Sequence, residues 1–131
     1  MFEIDKMNGE EFEGRLGILY ENLGFKVTRT GDRPGGDYGV DLVIEKDGER
    51  TAIQAKCYKH NKVGEDAVRE VHTGKKIYNC HKAQVKTNSR YTPMAWKLAT
   101  TNHVWLYDRK GLVKILLLEK AIKEKMQLAR N

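Results

Sequence analysis

The sequence contains few cysteines and prolines and no long apolar run. Of its 131 residues, only two are cysteine and two are proline. The two cysteines, Cys57 and Cys80, cannot build the disulfide framework of a small secreted protein, so a reducing compartment is favoured. The longest apolar run, residues 115–118, has four residues, whereas a membrane helix needs roughly 20. Because the first residues lack the basic start and apolar stretch of a secretory signal, we expect a cytoplasmic protein without a membrane segment.

Acidic residues are outnumbered by basic ones. There are 24 Lys and Arg residues against 18 Asp and Glu residues, which gives a net charge of +6 and a pI near 9.3. This balance favours nucleic acid or another polyanion as the partner. The stretch from Lys56 to Lys62, both included, contains three lysines and one histidine and no acid. From Lys110 onward, six basic residues accompany two acids. For the second group, the alternative is a solvated surface that keeps the protein soluble.

The distribution of apolar residues predicts one α/β domain that spans residues 1–131. A capping box at Asn8 and Glu11 begins the first helix, and Asp47-Gly48 between two β-prone runs is a strong signal for a hairpin. The full pattern predicts helices over 8–23, 63–78, 92–101 and 112–129, and strands over 25–29, 40–45, 49–58, 83–87 and 104–107. This order, α-β-β-β-α-β-α-β-α, indicates a central mixed β-sheet flanked by helices.

Three polar residues are predicted to meet on one face of this hairpin. A two-residue turn at Asp47-Gly48 imposes a pairing that places Asp41 opposite Gln54, with Lys56 on the same face two residues further on. The Cβ atoms of such neighbours are about 4.5–8 Å apart, so the polar groups can converge. The other parity is apolar and is predicted to face the core; it comprises Val40, Leu42, Ile44, Ile53 and Ala55.

A plainer interpretation of these polar residues stays open. In a sheet with one wet face, alternating polar side chains point to water and form ordinary surface ion pairs. Glu45 and Arg50 are predicted to be such a pair. Cysteine and histidine at 57, 60, 80 and 81 lack the spacing of structural zinc sites, so no zinc site is predicted.

The aromatic residues divide into two groups. Trp96 and Trp105 lie in apolar periodic segments and are predicted to pack in the core. Tyr38 lies in a glycine-rich loop and Tyr91 precedes a helix cap. These two tyrosines are the candidates for contacts with nucleic acid.

The polar residues of the hairpin belong to a longer pattern. Residues 36–44 read GDYGVDLVI, and twelve residues separate Asp41 from Gln54-Ala55-Lys56. This pattern resembles the signature of PD-(D/E)xK nucleases and, more closely, the D…QxK form found in Mrr-type restriction endonucleases. Segments at 9–13, 67–71, 87–93 and 105–109 resemble the same family in the same order. The resemblance covers nearly the whole chain and implies a restriction-endonuclease-like fold.

The resemblance implies a metal-dependent endonuclease that hydrolyses phosphodiester bonds of DNA. It makes Asp41 the principal ligand of Mg²⁺, which Mn²⁺ can replace, with the amide oxygen of Gln54 and the carbonyl of Ala55 as further ligands. Mg²⁺ prefers such oxygen ligands and keeps several waters. Lys56 would orient or deprotonate the attacking water and stabilise charge in the transition state. No organic cofactor is implied.

The resemblance also implies an acid on the first helix. Glu13 is chosen over Glu11, because Phe12-Glu13 matches the family pattern and Glu11 is used by the capping box. Asp37 is a second candidate, although an aspartate in a glycine-rich loop is often a turn residue. Gln54 in place of an acid removes one negative charge, so one metal ion, two metal ions or a degenerate site all stay open.

These observations predict a stand-alone nuclease of DNA restriction, or of repair and recombination. Its specificity would come from DNA structure, from a partner chain or from a homodimer that presents two sites, and these three alternatives stay open. A related alternative is a structure-selective nuclease similar to archaeal Holliday-junction resolvases, which share the implied fold and are of similar size. An alternative from another class is a DNA-binding module without catalysis, against which the presence of both Asp41 and Lys56 argues. An RNA-directed nuclease also stays open, because phosphodiester chemistry does not read the sugar.

Overall fold

The computed structural model describes residues 1–31 and 38–130, without the side chain of Phe2. The helices are α1 (Phe2–Asp5), α2 (Gly9–Asn22), α3 (Glu65–Ile77), α4 (Pro93–Asn102) and α5 (Arg109–Arg130). The strands are β1 (Lys26–Arg29), β2 (Leu42–Lys46), β3 (Glu49–Lys56), β4 (Lys82–Thr87) and β5 (Val104–Tyr107). The predicted order of elements is confirmed, with α1 as an addition whose single turn is too short to show a periodicity. Among the helices described, none is long and apolar enough to cross a membrane.

The five strands form one mixed sheet, as the sequence predicts, and their order in the sheet is β1-β2-β3-β4-β5. The first three strands are antiparallel neighbours, while β3, β4 and β5 are parallel and are joined through α3 and α4. The parallel strands end level with one another, since Lys56 pairs with Thr87 and Lys86 pairs with Tyr107. Asp41 precedes β2, which runs opposite to β3, so Asp41 lies at the same edge. We call it the carboxyl edge, and it is where ligands of open α/β sheets bind.

Local side-chain caps explain where two of the helices begin. At the start of α2, Asn8 Oδ1 accepts the Glu11 amide at 2.8 Å and Glu11 Oε1 accepts the Asn8 amide at 3.0 Å, which confirms the capping box. Helix α5 begins at Arg109, earlier than predicted, because Asp108 Oδ1 accepts a hydrogen bond from the Gly111 amide at 3.0 Å. Helix α5 therefore starts directly at the carboxyl edge.

Both faces of the sheet are buried. The face under α3 and α4 carries Val43 and Ala52, and the face under α2 and α5 carries Leu42 and Ile53. Val40 was predicted to share the second face with Leu42, and this is wrong, because Val40 packs in the first cluster. The strict alternation fails there because Val40 precedes the first residue of β2 and is not part of the pleat.

Three predictions about aromatic residues are wrong. Trp105 is 60% exposed because β5 is an edge strand, and Trp96 on α4 is 44% exposed. Tyr91 is only 5% exposed, and its hydroxyl lies 2.9 Å from two backbone carbonyl oxygens. Tyr91 is therefore a core residue whose hydroxyl is hydrogen-bonded within the fold, and its ring is not accessible to nucleic acid. Tyr38 is half exposed, so its contact with nucleic acid stays a prediction.

Candidate active site at the carboxyl edge

The β2–β3 hairpin has the turn that its sequence predicts. Asp47 and Gly48 have positive φ angles of 54° and 80°, as a type I′ turn requires at both central positions. The predicted pairing is confirmed for the five pairs from Leu42 with Ile53 to Lys46 with Glu49. The predicted pair of Glu45 and Arg50 is confirmed as well, with 3.2 Å between the carboxylate and the guanidinium.

Asp41 departs from this regular pairing. Its amide donates to the Ile53 carbonyl at 2.8 Å, one residue short of the predicted partner Gln54, so the predicted direct pairing is wrong. Its own carbonyl accepts the Thr30 amide at 3.0 Å, which draws the chain towards β1. The carboxylate nevertheless reaches β3, because Asp41 Oδ2 accepts the Ala55 amide at 2.7 Å. The acid is therefore held against the backbone between Gln54 and Lys56.

Only the nitrogen of the Gln54 side-chain amide has a hydrogen-bond partner among the described residues. The side chain is 4% exposed, and Nε2 donates to Glu70 Oε2 at 2.7 Å. Oε1 is also buried, and within the described ranges no donor reaches it. A buried carbonyl oxygen without a donor is costly, and an oxygen ligand is what a hard divalent cation requires. Together with the Asp41 carboxylate, this oxygen fits the metal that the sequence implies.

Lys56 is the last residue of β3 and is half-buried at the carboxyl edge. Side chains alternate along a strand, so Lys56 lies on the same face of β3 as Gln54, as predicted. The low exposure of Asp41, 7%, and of Gln54 argues against the alternative of a merely wet sheet face. The backbone carbonyl of Ala55 stays a predicted ligand.

Glu13 lies at the neighbouring border of the sheet. Its carboxylate is 3.3 Å from the guanidinium of Arg29 on β1, and Arg29 pairs with Leu42, the residue after Asp41. Within the part of the chain that the structure describes, no hydrogen bond joins Glu13 to Asp41, Gln54 or Lys56. Its role as the acid from the first helix therefore stays a prediction.

The second candidate acid, Asp37, lies outside the described residues. Glu11, the alternative to Glu13, takes part in the helix cap that the sequence predicts. Glu11 uses its carboxylate in the capping box of α2.

Sequence reasoning missed Glu70, which belongs to the site through α3. The backbone approaches closely here: a Cβ built on Gly39 would lie 2.7 Å from the Glu70 Cβ, and one built on Gly74 would collide with the Tyr38 carbonyl. Gly39 also has a φ of +77°, a region that favours glycine. These two glycines let α3 pack onto the segment before Asp41, which places Glu70 over β3. The contact is non-local. The sequence signals for it are the glycine next to the D…QxK pattern and the segment 67–71, which contains Glu70 and resembles the same family.

A second lysine is buried under the other face of the sheet. Lys86 is fully buried, its Nζ lies 2.8 Å from Gln84 Oε1, and it lies 3.3 Å from the centre of the Tyr107 ring. Burial lowers the pKa of Lys86 to about 7. It pairs with Ala55, whose side chain faces away from Gln54, so Lys86 is not part of the candidate site.

The cysteines do not form a metal site. Cys57 packs in the cluster under α2 and α5, while Cys80 packs in the cluster on the opposite face of the sheet. Burial raises the pKa of both thiols, which disfavours the thiolate that binds metal. In the described ranges there is no group of three or more His, Cys, Asp and Glu side chains suited to a metal ion. The candidate site, with one carboxylate and one amide, does not require such a group.

Comparisons with known proteins agree with this geometry. No curated protein sequence matches the chain. The fold is similar to that of the DNA modification-dependent restriction endonuclease AspBHI, with a TM-score of 0.65 and 21% identity over 94% of this chain. It is also similar to a repair endonuclease from Pyrococcus abyssi, with a TM-score of 0.55 and 20% identity over 77% of this chain. A third similar structure is EndoMS in complex with double-stranded DNA, with a TM-score of 0.55 and 18% identity over 78% of this chain.

These similarities show the fold, and the family follows from the sequence itself. The chain spans 38%, 46% and 45% of the lengths of the three proteins. Residues 4–116 match the profile of the Mrr catalytic-domain family, described as a restriction endonuclease. The matched range includes the hairpin and Glu70. The chain therefore belongs to the Mrr-type restriction endonuclease family, as the D…QxK pattern implies.

Proposed function

We propose that this chain is a metal-dependent endonuclease that hydrolyses phosphodiester bonds of DNA at Asp41, Gln54 and Lys56. One observation carries the proposal. The Asp41 carboxylate lies 2.7 Å from the Ala55 amide, and the adjacent Gln54 offers a buried oxygen that no donor in the described ranges reaches. Two oxygen ligands from neighbouring segments are thus available at the edge where ligands of such sheets bind.

The residues divide the work by their chemistry. A bound Mg²⁺ ion, or Mn²⁺ in its place, neutralises charge on the scissile phosphate and makes a water more acidic. Asp41 and Gln54 Oε1 would hold the ion, with the Ala55 carbonyl as a further ligand. The Lys56 amine orients the attacking water and stabilises the negative charge that develops on the phosphate. Glu13 would add a carboxylate from α2 at the neighbouring border of the sheet.

DNA is the proposed substrate. The net charge of +6 favours a polyanion, and two of the similar structures carry DNA in their descriptions. We place the activity in the cytoplasm, where free thiols such as Cys57 and Cys80 persist. Residues 1–131 are proposed to act as one catalytic domain, and a homodimer would present two sites for the two strands. Sedimentation of the purified chain measures its oligomeric state.

A plasmid-nicking experiment tests the activity. Supercoiled plasmid is incubated with the wild type, Asp41→Ala and Lys56→Ala in Mg²⁺, in Mn²⁺ and in EDTA. We expect nicking by the wild type in either metal and its loss in both variants and in EDTA. Asp66→Ala and Lys76→Ala on α3 are matched surface controls, since both side chains are exposed. Their activity should equal that of the wild type.

Two outcomes would overturn the proposal. One is DNA binding without cleavage in either metal, which would identify a binding module. The other is unchanged cleavage by Asp41→Ala. Duplex RNA and a four-way DNA junction, used beside linear duplex DNA, show whether the nuclease instead prefers RNA or a branched structure.

A further inference from the structure

Three loops follow the carboxyl ends of the parallel strands. They comprise residues 57–64 after β3, residues 88–92 after β4, and Asp108 after β5. They begin level with one another, because the strands that precede them end level. The first of these loops starts directly after Lys56, so the loops adjoin the proposed active site.

The first two loops are bound to each other by their backbones. The Val63 amide donates to the Arg90 carbonyl at 2.7 Å, and the Thr92 amide donates to the Val63 carbonyl at 3.0 Å. Ser89 Oγ donates to the Asn61 carbonyl at 2.7 Å. Val63 itself is 1% exposed. A buried residue and three hydrogen bonds thus hold the two loops in one arrangement.

Asn88 adds a further bond between the first two loops, and Arg109, which directly follows the third loop, joins α5 to them. Asn88 Oδ1 accepts the Tyr58 amide at 2.8 Å, and the Arg109 amide donates to the Ser89 carbonyl at 2.9 Å. The Arg109 guanidinium also binds Asp5 through two contacts of 2.8 Å. Asp5, which also accepts a hydrogen bond from Asn88 Nδ2 at 3.0 Å, is therefore already neutralised by a cation.

Four basic side chains of these loops point to solvent. They are Lys59, His60, Lys62 and Arg90, and we call them the basic patch. Residues 57–64 and 88–92 contain no Asp or Glu. None of the ion pairs found among the described residues uses Lys59, Lys62 or Arg90. Lys59 and His60 of the patch line a depression of about 330 Å³. Its other lining residues are Tyr58, Asn88, Ser89 and the ion pair of Asp5 with Arg109.

We propose that the basic patch binds the sugar-phosphate backbone of the DNA duplex whose scissile phosphate occupies the active site. This inference rests on the proposed function. Cations without acidic partners bind phosphates and release counterions, which gives sequence-independent affinity. Because the loops are fixed before binding, little ordering entropy is lost when the phosphates arrive. The first two loops therefore determine in which direction the duplex extends from the active site at Lys56.

The salt dependence of binding tests this proposal. Affinity for a fluorescent 30-base-pair duplex is measured in EDTA between about 50 and 200 mM KCl, where a loss of three phosphate contacts is measurable. The patch variant combines Lys59→Gln, Lys62→Gln and Arg90→Gln. The control variant combines Lys120→Gln, Lys123→Gln and Lys125→Gln, which removes the same charge from the exposed end of α5. Plasmid nicking in Mg²⁺ is measured in parallel.

The two variants are expected to differ clearly. The patch variant should lose about 10-fold or more in affinity at low salt, and its slope of log K against log [KCl] should be shallower by about 2–3. The control should keep nearly the wild-type slope. Equal losses in both variants, or no binding by the wild type, would overturn the proposal.

The nicking assay separates this inference from the proposed function. Patch-dependent binding without cleavage in either metal rejects the nuclease and keeps the patch. Cleavage by the wild type together with an unchanged slope in the patch variant rejects the patch and keeps the nuclease. The single variants Lys59→Gln and Lys62→Gln are a control for folding. Their thermal unfolding should equal that of the wild type, so that any loss of affinity in them comes from the missing charge.

Discussion

Gln54 and Glu70 are joined by a hydrogen bond of 2.7 Å from the amide nitrogen to the carboxylate. Hydrogen bonds to a charged acceptor are roughly twice as strong as neutral ones. The bond therefore fixes which half of the Gln54 amide faces α3, and it leaves Oε1 on the other side. Glu70 is in this sense a positioning residue for the proposed metal ligand.

Removal of the Glu70 carboxylate should weaken metal binding. We expect Glu70→Ala to lower the affinity for Mn²⁺ by about 10-fold or more, since residues that orient a ligand typically contribute 10–100-fold. Glu70→Gln keeps an oxygen that accepts from Gln54 and should lose less. Calorimetric titration of the free protein with Mn²⁺ measures the affinity without relying on cleavage. Asp66→Ala, an exposed acid one turn earlier on α3, is the control.

A swap of the two side chains tests the same contact from the other side. Gln54→Glu alone places two carboxylates next to each other, and we expect it to lower the stability of the metal-free protein. Gln54→Glu combined with Glu70→Gln restores one donor and one acceptor, so stability should return. Urea unfolding in EDTA measures both. Additive effects of the two changes would show that the side chains do not interact.

Gly39→Ala should unfold more easily and should displace α3. The new methyl would lie 2.7 Å from the Glu70 Cβ, in a backbone with φ of +77°. Strain of this kind costs about 1–3 kcal/mol of unfolding free energy, and the collision adds to it. Gly64→Ala is the matched control, since nothing lies within 4 Å of its added methyl. Urea unfolding of both variants checks the difference.

Lys86 should make stability rise with pH. Its pKa is about 7 in the folded protein and roughly 10.4 when unfolded. Between these values the unfolded chain binds the extra proton, so unfolding free energy increases with pH. Lys86→Met should be more stable than the wild type at pH 7, by on the order of 4 kcal/mol at most, and the gap should close towards pH 10.5. Lys82→Met, at a far more exposed position of β4, is the control and should not gain stability at pH 7, because it removes no buried amine.

The Asp5–Arg109 pair should act in the acid range. The hydrogen bonds from Arg109 hold the pKa of Asp5 at about 2, so the contribution of the carboxylate to stability is present above pH 4 and is lost towards pH 2. Asp5→Asn should therefore be less stable than the wild type at pH 6, and the difference should shrink below pH 4. Acid unfolding followed by circular dichroism measures this. A constant difference across the range would contradict it.

The sequence predicts those parts of the fold that depend on near neighbours. The Asp47-Gly48 turn sets the register of β2 and β3, because two positive φ angles leave one hairpin geometry. Asp41 departs from this register: its amide donates to the Ile53 carbonyl, and its carbonyl accepts from Thr30, a residue of another segment. Glu70 was missed because its distance from Gln54 depends on how α3 packs, which no local pattern encodes. The D…QxK residues could be predicted because their residue types and spacing indicate the chemistry without any knowledge of how α3 packs.

The central position of β3 in the sheet determines how the protein loses activity when it unfolds. β3 has a strand on each side, and it carries Gln54 and Lys56. Amides of such a strand exchange with solvent only when the whole domain opens. Heating or denaturant should therefore abolish nuclease geometry and cooperative structure in a single transition, with no inactive folded species in between.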